Sequence, residues 1–208
     1  EINRAPAKTQ AALFEAMAER QITIDGNEFE MQPPFLVFAT QNPIEQEGTY
    51  RLPEAQLDRF LFKINVHYPT LEEEIQILEN KHQQKTTNIE ALIDSVLSTE
   101  QIAAYQNVIK DIIVEDNLLK YIAAIVNNTR TNANLYLGAS PRASIAILEA
   151  SKAVAAINGR DFITPDDIKK VVGPILCHRI ILTPEREMEG LTAEKMVQDL
   201  IQTIEIPR

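Results

Sequence analysis

The apolar run at residues 35–39 (FLVFA) constrains the fold of this chain more than any other feature. An unbroken apolar run of this length predicts a strand that is buried on both faces, as in a parallel sheet. Residues 61–66 (LFKINV) predict a second strand. Two buried strands cannot form a stable sheet by themselves, so we expect their partner strands to lie upstream of Glu1.

The sequence pattern changes at Thr70, after which apolar residues recur at helical spacing. Strands followed only by helices predict an α/β unit followed by an all-α domain. We therefore expect the C-terminal part of an α/β core with a parallel sheet at residues 1–69. A linker helix and loop are expected at 70–88, and a helical domain at 89–208.

Apolar and polar residues alternate on both sides of Asp25-Gly26, between Ile22 and Met31. Alternation around an Asp-Gly pair predicts a β-hairpin, because these residues accept the backbone angles of a tight turn. The sequence leaves open whether the loop has two residues or four. An amphipathic helix is expected before the hairpin, from Ala5 to Glu19.

Three helix starts carry recognisable caps. Thr70 with Glu73, and Ser98 with Gln101, have the spacing of capping boxes. Thr164-Pro165 predicts a third start, with a capping hydroxyl followed by proline at the first helical position.

The composition limits the classes of function. The formal net charge of −10 disfavours non-specific nucleic-acid binding, which needs a basic surface. Cys177 is the only cysteine, so no intrachain disulfide is possible and a reducing, cytoplasmic setting is expected. The sequence has no apolar run of about 18 residues, the length that would predict a membrane-spanning helix.

Asn42 directly follows the first predicted strand, in the sequence FATQNP. Ligands of open α/β sheets bind at the carboxyl ends of strands, where an amide can orient a water molecule or a phosphate oxygen. The alternative is a simple strand-ending turn before Pro43, a position in which asparagine is common.

Arg59 lies in a short predicted helix, in the sequence LPEAQLDRF, just before the second strand. A guanidinium is always charged and can bridge the oxygens of a phosphoryl group in transfer, as an arginine finger does. The alternative is a surface ion pair with Asp58 or Glu54, which would contribute little to stability.

Arg142 is expected in the first turn of a helix that Ser140 caps and Pro141 opens. A helix N-terminus favours anions, and an arginine there adds charge-assisted bonds to a phosphate. The alternative is a structural arginine paired with a carboxylate between helices, such as Glu149 or Asp161.

Four stretches, in this order, carry a more specific signal than any single residue. They are EINRAPAKTQAALFEAMAERQITIDG, FATQNPIEQEGTYRLPEAQLDRF, GASPRA and GRDFITPDDI. Together they resemble the MoxR family of AAA+ ATPases, from Glu1 to about Leu182. The resemblance implies an AAA+ core followed by a helical lid.

The resemblance also implies roles for single residues. Glu1 matches the catalytic glutamate of the Walker B motif, and the residue just before it is expected to be the aspartate that helps to hold Mg²⁺. Asn42 matches sensor 1, and Arg59 matches the arginine finger, which reaches the nucleotide of the neighbouring subunit. Arg142 matches sensor 2, which like Asn42 contacts ATP. The hairpin at 22–31 matches the presensor 1 hairpin, which in relatives faces the pore of a ring.

The function implied is coupling of ATP hydrolysis to the remodelling or maturation of partner proteins. The family resemblance also implies a homo-oligomeric ring, commonly a hexamer, and partners with von Willebrand factor A domains. The sequence has no G-x-x-x-x-G-K-S/T loop to bind the β- and γ-phosphates, so we expect an incomplete site that is inactive in this stretch alone. Two alternatives are a nucleic-acid motor of the same superfamily and a non-enzymatic helical interaction module.

The remaining polar residues are expected to be structural. His67, His82 and His178 have no metal-ligand spacing to each other or to cysteine. Cys177 is expected to be a buried thiol in the apolar sequence PILCHRIIL, and Arg179 beside it to make a structural pair.

Overall fold

The computed structural model describes residues 1–42, 52–83 and 93–205. Its strands are β1 (Gln21–Ile24), β2 (Asn27–Glu30), β3 (Leu135–Leu137) and β4 (Ile181–Leu182). Its helices are α1 (Ala7–Glu19), α2 (Glu54–Leu57), α3 (Leu71–Gln83), α4 (Thr99–Lys110), α5 (Asp116–Thr131), α6 (Pro141–Ile157), α7 (Pro165–Leu176), α8 (Pro184–Met188) and α9 (Ala193–Thr203). The loop of the predicted linker, from residue 84 to 88, lies outside the described residues.

The predicted hairpin is confirmed, and its loop has two residues. Ile24 pairs with Asn27, so only Asp25 and Gly26 lie between the strands. Both have positive φ, 49° and 80°, which is the backbone of a tight turn that matches the twist of an antiparallel pair. The Asp-Gly sequence is therefore the direct cause of this turn.

The two predicted buried strands are not found. Residues 35–39 and 61–66 have no strand assignment, and no described residue forms a ladder with either segment. Phe38 and Val66 are each 91% exposed. A strand is stabilised by a neighbour that bonds its backbone, so the apolar composition alone does not produce the predicted burial.

The core of the described chain lies between the helices of the C-terminal part. Helices α5, α6, α7 and α9 pack their apolar faces together, and α6 lies against both α5 and α7. Ile125, Ile147, Ile168 and Val172 from three of these helices are completely buried. This core fixes the direction of α6, whose first turn carries Arg142.

The connection from β3 to α6 is held close to the end of α5. A Cβ on Gly138 would lie 2.6 Å from the carbonyl oxygen of Thr129, a distance that only glycine avoids. The backbone N–H of Ala139 donates to the Thr129 hydroxyl (3.0 Å), and Arg130 donates to the Ala139 carbonyl (2.9 Å). These contacts place Ser140 and the start of α6.

The predicted helix starts are confirmed. Thr70 and Glu73 exchange hydrogen bonds at the start of α3, and Ser98 and Gln101 do so at the start of α4. At the start of α7, Thr164 donates both its backbone N–H and its hydroxyl to the Asp167 carboxylate at 2.8 Å. Each cap satisfies donors that the first helical turn leaves unbonded.

Candidate functional site

The segments that carry Glu1 and Asn42 are bonded to each other before α1. The Ile2 N–H donates to the Thr40 carbonyl at 2.8 Å, and the buried Asn3 side chain donates to the Asn42 carbonyl at 3.1 Å. Two bonds therefore tie the segment that begins with Glu1 to the end of the extended segment 35–42.

The Glu1 carboxylate is a partly exposed anion. Its Oε2 lies 2.5 Å from Nε of Arg4, and the Glu1 side chain is 37% exposed. The Glu1 side chain is therefore accessible from solvent while it is paired with Arg4.

Arg59 and Arg142 line one cleft at the other end of α1. The rest of the cleft is formed by the last turn of that helix, Met17 to Glu19. Arg59 is exposed, and no carboxylate among the described residues pairs with it. Two guanidinium groups at one cleft repel each other unless an anion lies between them, so the cleft suits a phosphate.

The first turn of α6 adds to this positive charge. The Ser140 hydroxyl accepts from the Arg142 N–H at 3.2 Å, and Pro141 occupies the first helical position, as predicted. The helix has 17 residues, so the partial positive charge of its N-terminus is fully developed beside Arg142. The Arg142 side chain remains 57% exposed.

Asp58 makes contacts at the candidate site that the sequence interpretation missed. Its Oδ2 accepts from the Ser140 hydroxyl at 2.9 Å and lies 3.6 Å from a terminal nitrogen of Arg142. Its Oδ1 accepts from Nε of Arg179 at 2.9 Å. The surface pair of Asp58 with Arg59, considered as an alternative, is therefore not what the structure contains.

The alternative partners considered for Arg142 are also not used. Neither Glu149 nor Asp161 forms an ion pair with Arg142; its carboxylate contact within the described residues is to Asp58. The missed contact joins residues 84 positions apart, so no local sequence pattern could have predicted it.

Arg179 is the buried counterpart of Asp58, and its side chain is only 3% exposed. Its five N–H groups donate to Oδ1 of Asp58 and to the carbonyl oxygens of Asp58, Phe60, Leu61 and Ile175. Burial lowers the pKa of Arg179, and the bond to Asp58 opposes that shift. The structural pair expected for Arg179 is thus confirmed.

His178 and Cys177 lie beside this contact and are shaped by burial. Nε2 of His178 lies 3.1 Å from the Phe60 carbonyl, and burial lowers the pKa of His178 to about 4. Burial raises the pKa of the free thiol of Cys177 to about 11. Across residues 1–42, 52–83 and 93–205, no cluster of histidine, cysteine and acidic side chains could hold a metal ion.

The four predicted site residues thus form two pairs rather than one site. Glu1 and Asn42 lie at the start of α1, and Arg59 and Arg142 lie at its end. The 13-residue helix is about 20 Å long at 1.5 Å per residue. The rings of Phe14 and Phe60 meet edge to face, 6.1 Å between centroids, and hold α1 against the segment that carries Arg59.

A search of the described helices found none with the length and apolar character needed to cross a membrane. Two family models match the chain. The ATPase family associated with various cellular activities (AAA) matches residues 1–62, and the AAA lid domain matches residues 127–201. The second match begins within α5 and includes α6, α7 and Arg142.

Similar proteins match over the whole chain. YeaC from Bacillus subtilis is 44% identical over 207 residues, which are 100% of this chain and 64% of YeaC. Chaperone MoxR1 from Mycobacterium tuberculosis is 42% identical, with 100% of this chain and 56% of MoxR1 covered. The crystal structure of an ATPase candidate from Cytophaga hutchinsonii superposes with a TM-score of 0.91 at 37% identity, over 100% of this chain and 65% of that one.

The chain therefore spans less than two thirds of the length of these relatives. The matches confirm the expected fold class, part of an AAA+ core followed by a helical lid. Together with the relatives that bear the MoxR name, they identify the chain as a member of the MoxR family of AAA+ ATPases.

Proposed function

We propose that the full-length protein hydrolyses ATP at sites shared between neighbouring copies and uses the energy to remodel partner proteins. The observation that carries this proposal is that Arg59 and Arg142 line one cleft beside the last turn of α1, whereas the segments that carry Glu1 and Asn42 are bonded to each other before that helix. Because α1 alone is about 20 Å long, we infer that one triphosphate does not reach both pairs of the same chain. One copy therefore supplies Glu1 and Asn42 to a nucleotide, and the next copy supplies Arg59 and Arg142.

Glu1 acts as the general base in this proposal. Its carboxylate accepts a proton from the attacking water as the new P–O bond forms and the bond to the ADP oxygen breaks. Asn42 orients the water or a γ-phosphate oxygen. The hydrogen bonds that Ile2 and Asn3 donate to residues 40 and 42 hold the backbones that carry Glu1 and Asn42 at a fixed separation.

Arg59 stabilises the charge that develops on the transferred phosphoryl group. It is exposed and lacks a carboxylate partner among the described residues, so its full charge is available to a phosphate. Arg142 contacts the same phosphate group from the first turn of α6, since it lines the same cleft.

Nucleotide and Mg²⁺ use is a general property of the AAA+ family. The family resemblance suggests that an aspartate beside the general base helps to hold Mg²⁺. The described residues contain no cluster of histidine, cysteine and acidic side chains able to hold a metal ion, so the residues proposed above act on the nucleotide and not on the metal.

The hairpin supports a protein client over a nucleic acid. The register pairs Ile22 with Phe29, so that Ile22, Ile24 and Phe29 share one face. These three side chains are 36%, 54% and 53% exposed, and Asp25 and Glu28 lie near the tip. An apolar face with an acidic tip suits a polypeptide and repels phosphates.

The proposal extends to assembly, partners and location. Sharing of sites between copies requires a closed ring, for which the family resemblance suggests a hexamer. The same resemblance suggests partners with von Willebrand factor A domains. A cytoplasmic location fits the single free thiol of Cys177.

Arg59→Ala in the full-length protein tests the shared site. ATP turnover is expected to fall by roughly 10³ to 10⁵-fold, the range for a finger supplied in trans, while ATP binding is retained. Arg186→Ala, which removes an exposed arginine of the lid surface, is the matched control and should leave turnover unchanged.

A mixing experiment decides whether the finger acts between copies. Glu1→Gln protomers are inactive at their own sites but still carry Arg59, so adding them to Arg59→Ala protomers should restore part of the turnover. Mixed rings that show no recovery would refute the shared site. A wild-type protein without ATPase activity would refute the proposed function itself.

A further inference from the structure

The Asp58 carboxylate connects the residue before Arg59 to two separate parts of the lid. One oxygen is bonded to Arg179, which follows α7, and the other to Ser140, the N-cap of α6. The same second oxygen lies 3.6 Å from Arg142. A single side chain of the core segment therefore fixes both the lid and the start of the helix that carries Arg142.

Asp58 is the carboxylate partner of a buried cation. The guanidinium of Arg179 is buried, and Asp58 is its carboxylate partner among the described residues. A buried cation without a counter-charge is strongly destabilising. The Asp58 side chain is itself only 14% exposed, so solvent cannot replace it in this role.

The charge of Asp58 also controls the two arginines of the cleft. Without it, three guanidinium groups would lie near the positive end of α6: those of Arg59, Arg142 and Arg179. Among the described residues, Glu19 is then the only acid that lines the cleft, and it pairs with none of the three arginines. Repulsion would then turn the exposed side chain of Arg142 away from Arg59. At 3.6 Å the pair with Asp58 orients Arg142 loosely enough for a phosphate to bind it.

We infer that Asp58 is a positioning residue for hydrolysis, which acts through Arg142 by holding it beside Arg59. This inference rests on the proposed ATPase function. Asp58 touches no reacting atom and transfers no proton; it sets the geometry of the phosphate-binding pair and couples that geometry to the lid.

Asp58→Asn in the full-length protein tests the inference, because asparagine keeps the shape and removes the charge. We expect kcat to fall roughly 10- to 100-fold, as for a displacement of about 1 Å in a catalytic group. The KM for ATP is expected to change less than about threefold, since the ground-state contacts remain. Glu54→Gln removes the same charge from α2 at an exposed position and should leave kcat unchanged.

The double variant separates positioning from a general loss of stability. If Asp58 acts through Arg142, Asp58→Asn should add no further loss of kcat in an Arg142→Ala background. The inference would be overturned if the kcat losses of the two substitutions multiply in the double variant, or if a folded Asp58→Asn protein has wild-type kcat. The proposed function would still stand in either case, provided that Arg59→Ala is inactive. If the wild type itself does not hydrolyse ATP, both fall.

A second variant keeps the test decisive if Asp58→Asn does not assemble. Ser140→Ala removes one bond to Asp58 and leaves the ion pair with Arg179 intact. We expect a several-fold loss of kcat that disappears in the Arg142→Ala background. Wild-type kcat in Ser140→Ala would then overturn the inference.

Discussion

Mild acid should destabilise the folded protein through His178. Its Nε2 faces the Phe60 carbonyl and must carry the proton, while Nδ1 is buried and no described residue bonds to it. Protonation of Nδ1 would create a buried, unbonded N–H and a charge beside Arg179. These two costs explain why the pKa of His178 is lowered from 6.5 to about 4.

The sign and size of the effect follow from that shift. Between pH 6.5 and about 4 the unfolded chain binds a proton at His178 and the folded chain does not, so stability falls as the pH is lowered across this window. For these two pKa values the free energy of unfolding would fall by about 2 kcal/mol between pH 7.5 and pH 5. Since His178 is partly exposed, solvent screening reduces the expected loss to about 1–2 kcal/mol.

Urea denaturation at both pH values measures this loss. His178→Gln retains a side-chain N–H for the Phe60 carbonyl and cannot titrate. Between pH 7.5 and pH 5, its free energy of unfolding should therefore fall by about 1–2 kcal/mol less than that of the wild type. His82→Gln, at an exposed position of α3, is the matched control. Equal pH dependence in the wild type and His178→Gln would refute the argument.

Two further changes test the lid. Asp167→Ala removes two charge-assisted bonds from Arg160 and the cap of α7, so it should lower the free energy of unfolding by about 2–3 kcal/mol. The control is Asp166→Ala, at an exposed position, which should change this free energy by less than about 0.5 kcal/mol. Similar urea midpoints for the two variants would show that the buried pair contributes little. Gly138→Ala should destabilise by about 1–3 kcal/mol because its Cβ meets backbone atoms at 2.6 to 2.8 Å. Thermal unfolding of this variant and the wild type measures the loss, and a Gly138→Ala protein as stable as the wild type would contradict the close approach.

Local sequence signals predicted the features that local physics determines. The Asp25-Gly26 turn and the caps at Ser98 and Thr164 depend on residues within three positions of each other, and each was found. The apolar segments at 35–39 and 61–66 failed as strand predictions because a ladder depends on a neighbouring strand. The composition of a segment indicates its preference for the strand conformation, but it does not show which neighbouring strand will bond its backbone.

The same distinction applies to the site. The caps and helix spacing correctly placed Arg142 in the first turn of α6 behind Ser140. The carboxylate that contacts Arg142 belongs to Asp58, which is remote from it in sequence. The sequence motif pointed to Arg59, the residue after Asp58, and not to Asp58 itself. The need for this contact follows from the burial of Arg179, because a buried guanidinium requires a counter-charge. That burial depends on how the helices pack and is not visible in the sequence.

The hydrogen bonds of Arg179 fix the backbone conformation of residues 58–61, the segment that contains Arg59. The carbonyls of Asp58, Phe60 and Leu61 follow the end of α2, where no further helical turn bonds them; the guanidinium of Arg179 donates to all three instead. Lysine could not replace it, because a single ammonium has three donors on a flexible stem and lacks the planar fork. The lid thus guides the segment that carries Arg59, and a small rotation of the lid would be transmitted directly to that arginine.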